Sequence, residues 1–274
     1  MSGIDEAEMQ AWRDSVGRIA TRRQRLDIES LRRFALAIDA DAEVERVQPV
    51  LAHWAWFLDA VPDAELGEDG HPRRGAFLPA ISLPRRMFVA TRIRMLAPLE
   101  LDRDAEMTLR IADVQHKRGR SGGLVFVEVE RVIAQNGGTR VEERQSLVYR
   151  PMDVVRLALP APANDAGDGE VWRPGAANLF RFSAATFNGH RVHYDHPYAT
   201  EVEGYPAVVV HGTFAAAKLA QFAARRGPLS SFAFRAQAPL FLGQPIRICA
   251  VGEDEVRMVR ADGAVSTIAR VTYR

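Results

Sequence analysis

The segment FNGHRVHYDHPYA, from Phe187 to Ala199, gathers His190, His193, His196, Asn188, Arg191, Tyr194 and Asp195 into one short stretch. Four of the chain's seven histidines lie between His190 and His211. Imidazole changes charge near neutral pH, so a cluster of this kind suits general acid–base chemistry. The same residue types admit a zinc site built from His190 and His193 with Asp195 or His196. Their spacing is not that of a helical His-x-x-x-His pair and no further ligand is obvious elsewhere, so neither a metal nor a cofactor is expected. A polar loop with surface histidines is the third reading, and the cluster alone leaves the choice open.

The elements that must hold this cluster follow from periodicity. Asp5 to Glu45 reads as helical, with Asp27 a candidate N-cap and Leu31, Phe34, Ala35 and Ile38 at helical spacing. A Pro- and Gly-rich loop follows. From Met87 to Arg150, stretches rich in β-branched and aromatic residues, partly alternating and separated by turn residues, predict a run of antiparallel strands. PMDVVRLALPAPANDAGDGEVW, Pro151 to Trp172, has the composition of a linker. The order then repeats: a helix in RFSAATF, an apolar helix in VVVHGTFAAAKLAQFAARR ended by Gly227-Pro228, and strands to the end of the chain.

Two local matches make the repetition specific. RMLAPLEL from Arg94 corresponds to RAQAPLFL from Arg235, an offset of 141 residues, and RRFALAIDA from Arg32 aligns with FRFSAATFN from Phe180, an offset of 148. Each offset is close to half the chain, which points to a tandem duplication of one helix-plus-sheet unit. The expected division is 1–150, a linker over 151–172, and 173–274.

Composition narrows the function classes. The chain has 274 residues with 36 Lys+Arg against 35 Asp+Glu, a formal net charge of +1, and 47% hydrophobic residues. The balanced charge gives no support to a nucleic-acid or acidic-membrane partner. The single cysteine, Cys249, excludes an intramolecular disulfide. MSGIDEAEMQ lacks the apolar core of a signal peptide and no apolar run approaches the roughly 18 residues of a membrane span, so a cytoplasmic protein is expected.

The spacing Asn188, His190, His193, followed by His211-Gly212, resembles the MaoC-type hydratase signature of the hot-dog superfamily, in which an acidic residue begins the motif, Asn stands two positions on and His five. Together with HWAWFL, LGEDGHPRRGAFLP, LPRRM and GRSGGLVFVEV, the variant FNGHRVHYD resembles a narrower double hot-dog group. That group comprises hydratases of mesaconyl-CoA (thioester at carbon four) and itaconyl-CoA, and 3-hydroxyacyl-thioester dehydratases of fatty acid synthesis. The resemblance runs from about Leu26 to Arg274. It implies an α+β fold of two tandem units, each a bent antiparallel sheet around a long helix. It implies a reversible hydro-lyase acting on an acyl-CoA and forming citramalyl-CoA, with a homodimer open. A hot-dog thioesterase and a non-catalytic acyl-CoA-binding module are the rivals of other classes.

Transferred onto this chain, the resemblance puts Asn188 in the place of the acidic residue, His190 in that of Asn and His193 in that of His. His193 is then the expected base, Asn188 the residue that positions water, and the Gly212 backbone N–H the stabiliser of the enolate oxygen. An amide cannot take a proton, so one base stands where the wider family has two; Asp195 or His190 could share the role. The offset of 148 sets Ala40 opposite Asn188 and Glu45 opposite His193, so the first half lacks the pair. Arg85 and Arg86, like Lys117, Arg118 and Arg120, are expected to bind the coenzyme A phosphates or a substrate carboxylate, Arg191 a second carboxylate, and His190 the substrate.

Overall fold

In a computed structural model, residues 4, 6–119, 122–152, 158–161 and 167–274 are described. Helix α1 (Glu6–Arg13) leads into strand β1 (Ile19–Arg25) and helix α2 (Ile28–Ala37), and a 3-10 turn (Ala52–Ala55) precedes β2 (Arg85–Met95). Strands β3 (Asp104–Gly119), β4 (Gly122–Gln135) and β5 (Gly138–Arg150) complete the first half. The second half runs β6 (Glu170–Trp172), α3 (Ala176–Thr186), α4 (Gly212–Ala224), β7 (Leu229–Ala236), β8 (Ile246–Val251), β9 (Glu255–Val259) and β10 (Val265–Tyr273). Asp27 caps α2 as its residue type requires, accepting from the Ser30 N–H at 2.8 Å.

The ten strands form one antiparallel sheet in the order β1-β3-β4-β5-β2-β7-β10-β9-β8-β6. Read outward from the centre, the two sides are the same order of equivalent strands, so the sheet records the duplication. The seam is the β2–β7 pair, Ala90 to Arg94 against Arg235 to Ser231. Left-handed residues repeat at the offsets seen in the sequence: Asp39 (φ 61) and Phe187 (φ 49) end α2 and α3, while Asp102 (φ 55) and Gly243 (φ 76) occupy matching turns.

Four details differ from expectation. Ile19–Arg25, within the stretch read as helical, is a strand; it lies at the sheet edge and alternates exposed and half-buried residues, a pattern of period two. Glu170–Trp172 at the end of the stretch read as linker is a short strand on β8. Val208–Val210 do not join the apolar helix, which starts at Gly212. The long helix also belongs to the second half: α4 lies against β7–β10 with all its alanines but Ala224 buried, whereas the first half carries the 3-10 turn Ala52–Ala55 and loops.

That turn is pinned to the sheet by a buried carboxylate. Glu143 on β5 accepts from Trp54 Nε1 (3.1 Å), Thr91 Oγ1 (2.8 Å) and Gln145 Nε2 (2.8 Å) and faces His53 Nε2 at 3.2 Å. Burial would push its carboxyl up, but the hydrogen bond and charge of His53, with Arg131 nearby, hold it down at about 2. Phe34 and Phe182 join α2 to α3, and Phe182 stacks on Phe214 of α4 at 4.6 Å, so one core runs through both halves.

Truncating Glu143 leaves several buried donors unpaired, and Glu143→Ala is expected to cost about 3–5 kcal/mol in urea unfolding, with the isosteric Glu143→Gln costing clearly less. Equal, small losses for both would show that the network contributes little.

Candidate functional site

The left-handed Phe187 ends α3 and turns the chain into the histidine-rich loop. Asn188 donates its backbone N–H to Ser183 O (2.9 Å), and its side-chain Oδ1 accepts from the His190 N–H (3.0 Å), a local bond typical of an Asn turn. A 3-10 turn, Arg191–His193, then buries His193. His193 Nδ1 lies 2.8 Å from Val209 O. A carbonyl only accepts, so Nδ1 carries the hydrogen and Nε2 keeps a lone pair. His193 stacks on His211 at 3.8 Å, and His211 Nε2 meets Ser183 Oγ at 2.8 Å. His211 opens α4, whose first N–H groups have no side-chain cap. Gly212 also packs closely: a Cβ there would stand 3.2 Å from Phe88 Cδ1, so the ring would have to give way by a few tenths of an ångström.

These groups line a cavity of about 1590 Å³ that both halves build. The first half contributes the overhanging start of β2 (Arg85 to Val89), Trp54, Trp56, Phe57 and the loop carrying His71. His71 packs on His190 at 4.1 Å, and His190 meets His193 at 5.2 Å, so imidazoles 71, 190, 193 and 211 form a contiguous row. His71 Nδ1 lies 3.1 Å from Asp69 Oδ2, and the His71 backbone N–H donates to Asp69 Oδ1 at 3.0 Å.

The electrostatics keep this row neutral. Burial, with the Arg86 cation, lowers His71 to about 4; burial lowers His193 to about 4 against the opposing Val209 bond. Burial also drives His190 and His211 down. Burial would raise Asp69, but the His71 bond and charge, with Arg86, hold it at about 2.

Of the residues singled out in the sequence, Asn188, His190, His193, Gly212, Arg85 and Arg86 line the cavity. Arg191 does not. Its guanidinium is held by Asp195 (2.7 Å) and Glu68 O (3.1 Å) and lies over Tyr198, which corrects its expected place at the substrate and occupies Asp195 as well. Lys117 and Arg118 are exposed near the tip of the β3–β4 hairpin, with Lys117 over Phe126, and neither lines the cavity. Arg120 lies outside the described residues. Arg85 is buried in an ion pair with Glu203 at 2.6 Å, a clasp between the halves. Arg86 has no carboxylate within ion-pair distance among the described residues and stands near enough to influence Asp69, His71 and Tyr149. Asp69 and His71 were not singled out as site residues; the signal available was an Asp-Gly-His run inside a Pro/Gly-rich loop. Asp69, His71 and His190 also bring three potential metal-donor atoms within 4.8 Å of one another, sharing only His190 with the set weighed from sequence.

The profile of hydroxyacyl-thioester dehydratase type 2 matches residues 51–242, and mesaconyl-C(4)-CoA hydratase of Chloroflexus aurantiacus is 45% identical over 208 residues, 74% of either chain. The chain belongs to the hydroxyacyl-thioester dehydratase type 2 family. Membership makes it a hydro-lyase of acyl thioesters. Two solved structures share the fold of this family member. A MaoC-like dehydratase from Phytophthora capsici is 14% identical with a TM-score of 0.66, covering 95% of this chain and 98% of its own. A Mycobacterium tuberculosis protein with a double hot-dog fold is 9% identical with a TM-score of 0.54, covering 93% and 95%. The α+β double hot-dog expected from the sequence is therefore the fold. No helix among the described residues is long and apolar enough to cross a membrane.

The depressed histidines tie stability to pH. Held neutral down to about pH 4 in the fold, His71 and His193 protonate near 6.5 once unfolded, so the unfolded chain binds more protons between those values. Their contribution is complete above about pH 6.5 and is lost as pH falls toward 4, at up to roughly 1.4 kcal/mol per pH unit for each histidine. The urea midpoint should drop between pH 7 and pH 5; an unchanged midpoint would mean the imidazoles are not kept neutral.

Proposed function

We propose that the protein reversibly hydrates a short enoyl-CoA bearing a carboxylate on the attacked carbon, with mesaconyl-C(4)-CoA or itaconyl-CoA as substrate and citramalyl-CoA as product. The observation that carries this reading is the 45% identity to a mesaconyl-C(4)-CoA hydratase across 74% of the chain. The site supplies a physical counterpart. An ionised carboxylate is prohibitive to bury without a partner, and Arg86 is a cavity-lining cation beside the histidine row.

His193 is the base. On mesaconyl-C(4)-CoA, whose double bond is conjugated with the thioester, its Nε2 takes a proton from water as the oxygen bonds to the β-carbon, the double-bond electrons move onto the thioester oxygen, and the same proton returns to the α-carbon. Itaconyl-CoA, whose double bond lies one carbon further from the thioester, enters this step only after that bond has shifted into conjugation. The N–H groups at the start of α4, Gly212 first, face the developing enolate. Asn188 orders the loop through His190 and positions water. His190 packs against the His71 ring and edge-on to His193. The wide cavity exceeds the roughly 300–1,000 Å³ of ordinary ligand pockets and leaves room for an acyl group with part of its carrier arm. The description of the matching family favours a second reading, a 3-hydroxyacyl-thioester dehydratase acting on fatty acyl chains.

Loss of the enoyl-thioester absorbance band separates the two. Mesaconyl-C(4)-CoA should be hydrated faster than crotonyl-CoA, and equal or better rates on long straight-chain enoyl-CoAs would hand the case to the fatty-acid reading. Itaconyl-CoA, which lacks the conjugated band, is followed by the citramalyl-CoA formed. His193→Ala should lower turnover on the order of 100- to 10,000-fold with the fold intact. A charged hydrogen-bonded carboxylate contact is worth roughly 1.5–3 kcal/mol. Arg86→Met should therefore erase about a 10- to 100-fold preference for the dicarboxylic substrate while leaving crotonyl-CoA turnover nearly unchanged.

A further inference from the structure

The hydratase reading leaves a gap: where the wider signature has a carboxylate, Asn188 offers an amide whose Oδ1 is already taken by the His190 N–H. The first half brings a carboxylate to the same place by another route. Gly70, at φ 82, lies against Gly189, and a Cβ on Gly70 would collide with Gly189 O; one on Gly189 would stand 2.8 Å from Gly70 O. The Arg191 backbone N–H donates to Asp69 O at 2.9 Å and its Nη1 to Glu68 O at 3.1 Å. The loop of the first half is thus locked by its backbone onto the motif of the second.

What that lock presents is an ordered pair. Both Asp69 oxygens are engaged by His71, one by its N–H and one by Nδ1. Asp69 stands behind, and His71 lines the cavity beside His190. With Asp69 ionised, Nδ1 carries the hydrogen and Nε2 presents a lone pair, the arrangement by which a buried carboxylate fixes a catalytic histidine. An acidic residue with a neutral imidazole gives a site one negative charge; with Asn188 in the motif, Asp69 restores it.

We propose that His71, oriented by Asp69, replaces the missing motif carboxylate as the second catalytic group. Resting on the hydratase reading, the step balances. Water gives one proton to His193 Nε2 and keeps the other, hydrogen-bonded to His71 Nε2, as the hydrogen of the product hydroxyl. The proton on His193 then passes to the α-carbon. The Asp69 charge offsets the imidazolium formed transiently at His193. Asp69 is a positioning residue, acting through His71.

The test uses an enoyl-CoA that the unmutated protein hydrates. His71→Phe keeps a ring on His190 and removes the nitrogen. It should lower kcat on the order of 100-fold with KM changed only a few-fold. Asp69→Asn should lower kcat less, again with little change in KM. Asn188→Asp placed in the His71→Phe protein returns a carboxylate to the motif, keeps the acceptor for the His190 N–H, and should recover kcat at least ten-fold, which also shows that the variant folds. Near-normal kcat in His71→Phe, or no recovery with Asn188→Asp, overturns the proposal while the hydratase reading stands. Activity lost to a chelator and restored by zinc would overturn it too, making Asp69, His71 and His190 metal ligands. No hydration by the unmutated protein of any enoyl-CoA would remove the hydratase reading and this step with it.

Discussion

The pairing of β2 with β7 makes one molecule of two repeats. It is short, five residue pairs from Ala90 to Arg94. Below it β2 runs on from Arg85 to Val89, paired with β5 on one side only and bulged at Val89. That overhang sets Phe88 against Gly212 at the start of α4 and points Arg86 into the space beside it. A longer seam would have covered these residues with a neighbouring strand; without a seam, each half would expose an edge strand with unpaired backbone N–H and C=O groups.

Duplication freed the halves to specialise. The second half keeps the long helix and the histidine loop. The first half sets a 3-10 turn and loops over its own sheet, held by Glu143, and the room so made is lined by Trp54, Trp56 and Phe57. Besides Arg86 and these aromatic rings, the first half returns the Asp69–His71 loop to the site, through backbone contacts that tolerate only glycine at positions 70 and 189. The cavity is shared, and neither repeat alone contains it.

The site is dry enough to hold four imidazoles in contact without charging them. That neutrality is obtained by burial, against the pull of Asp69 on His71 and of the Val209 carbonyl on His193. A neutral imidazole with one nitrogen tied to an acceptor is an oriented base. The same desolvation that prepares these rings for proton transfer destabilises the fold in acid, so reactivity and acid lability share a cause.

Much was legible in the sequence because it depends on local signals. The Asp27 cap, the strands between Met87 and Arg150, the offsets of 141 and 148, and the Asn188–His190–His193 spacing are all properties of residues near one another in the chain or of its self-similarity. Strand β1 escaped because a seven-residue edge strand of mostly polar residues lacks the apolar alternation that marks buried strands. The fate of each arginine was equally invisible. Arg85, Arg86 and Arg191 look alike in sequence, and only folding gave Arg85 to Glu203, Arg191 to Asp195, and left Arg86 to the cavity. Asp69 and His71 lie more than a hundred residues before His190, in a loop without periodicity. A side chain's charge state and orientation are set by what packs on it, and here that is the other half of the chain.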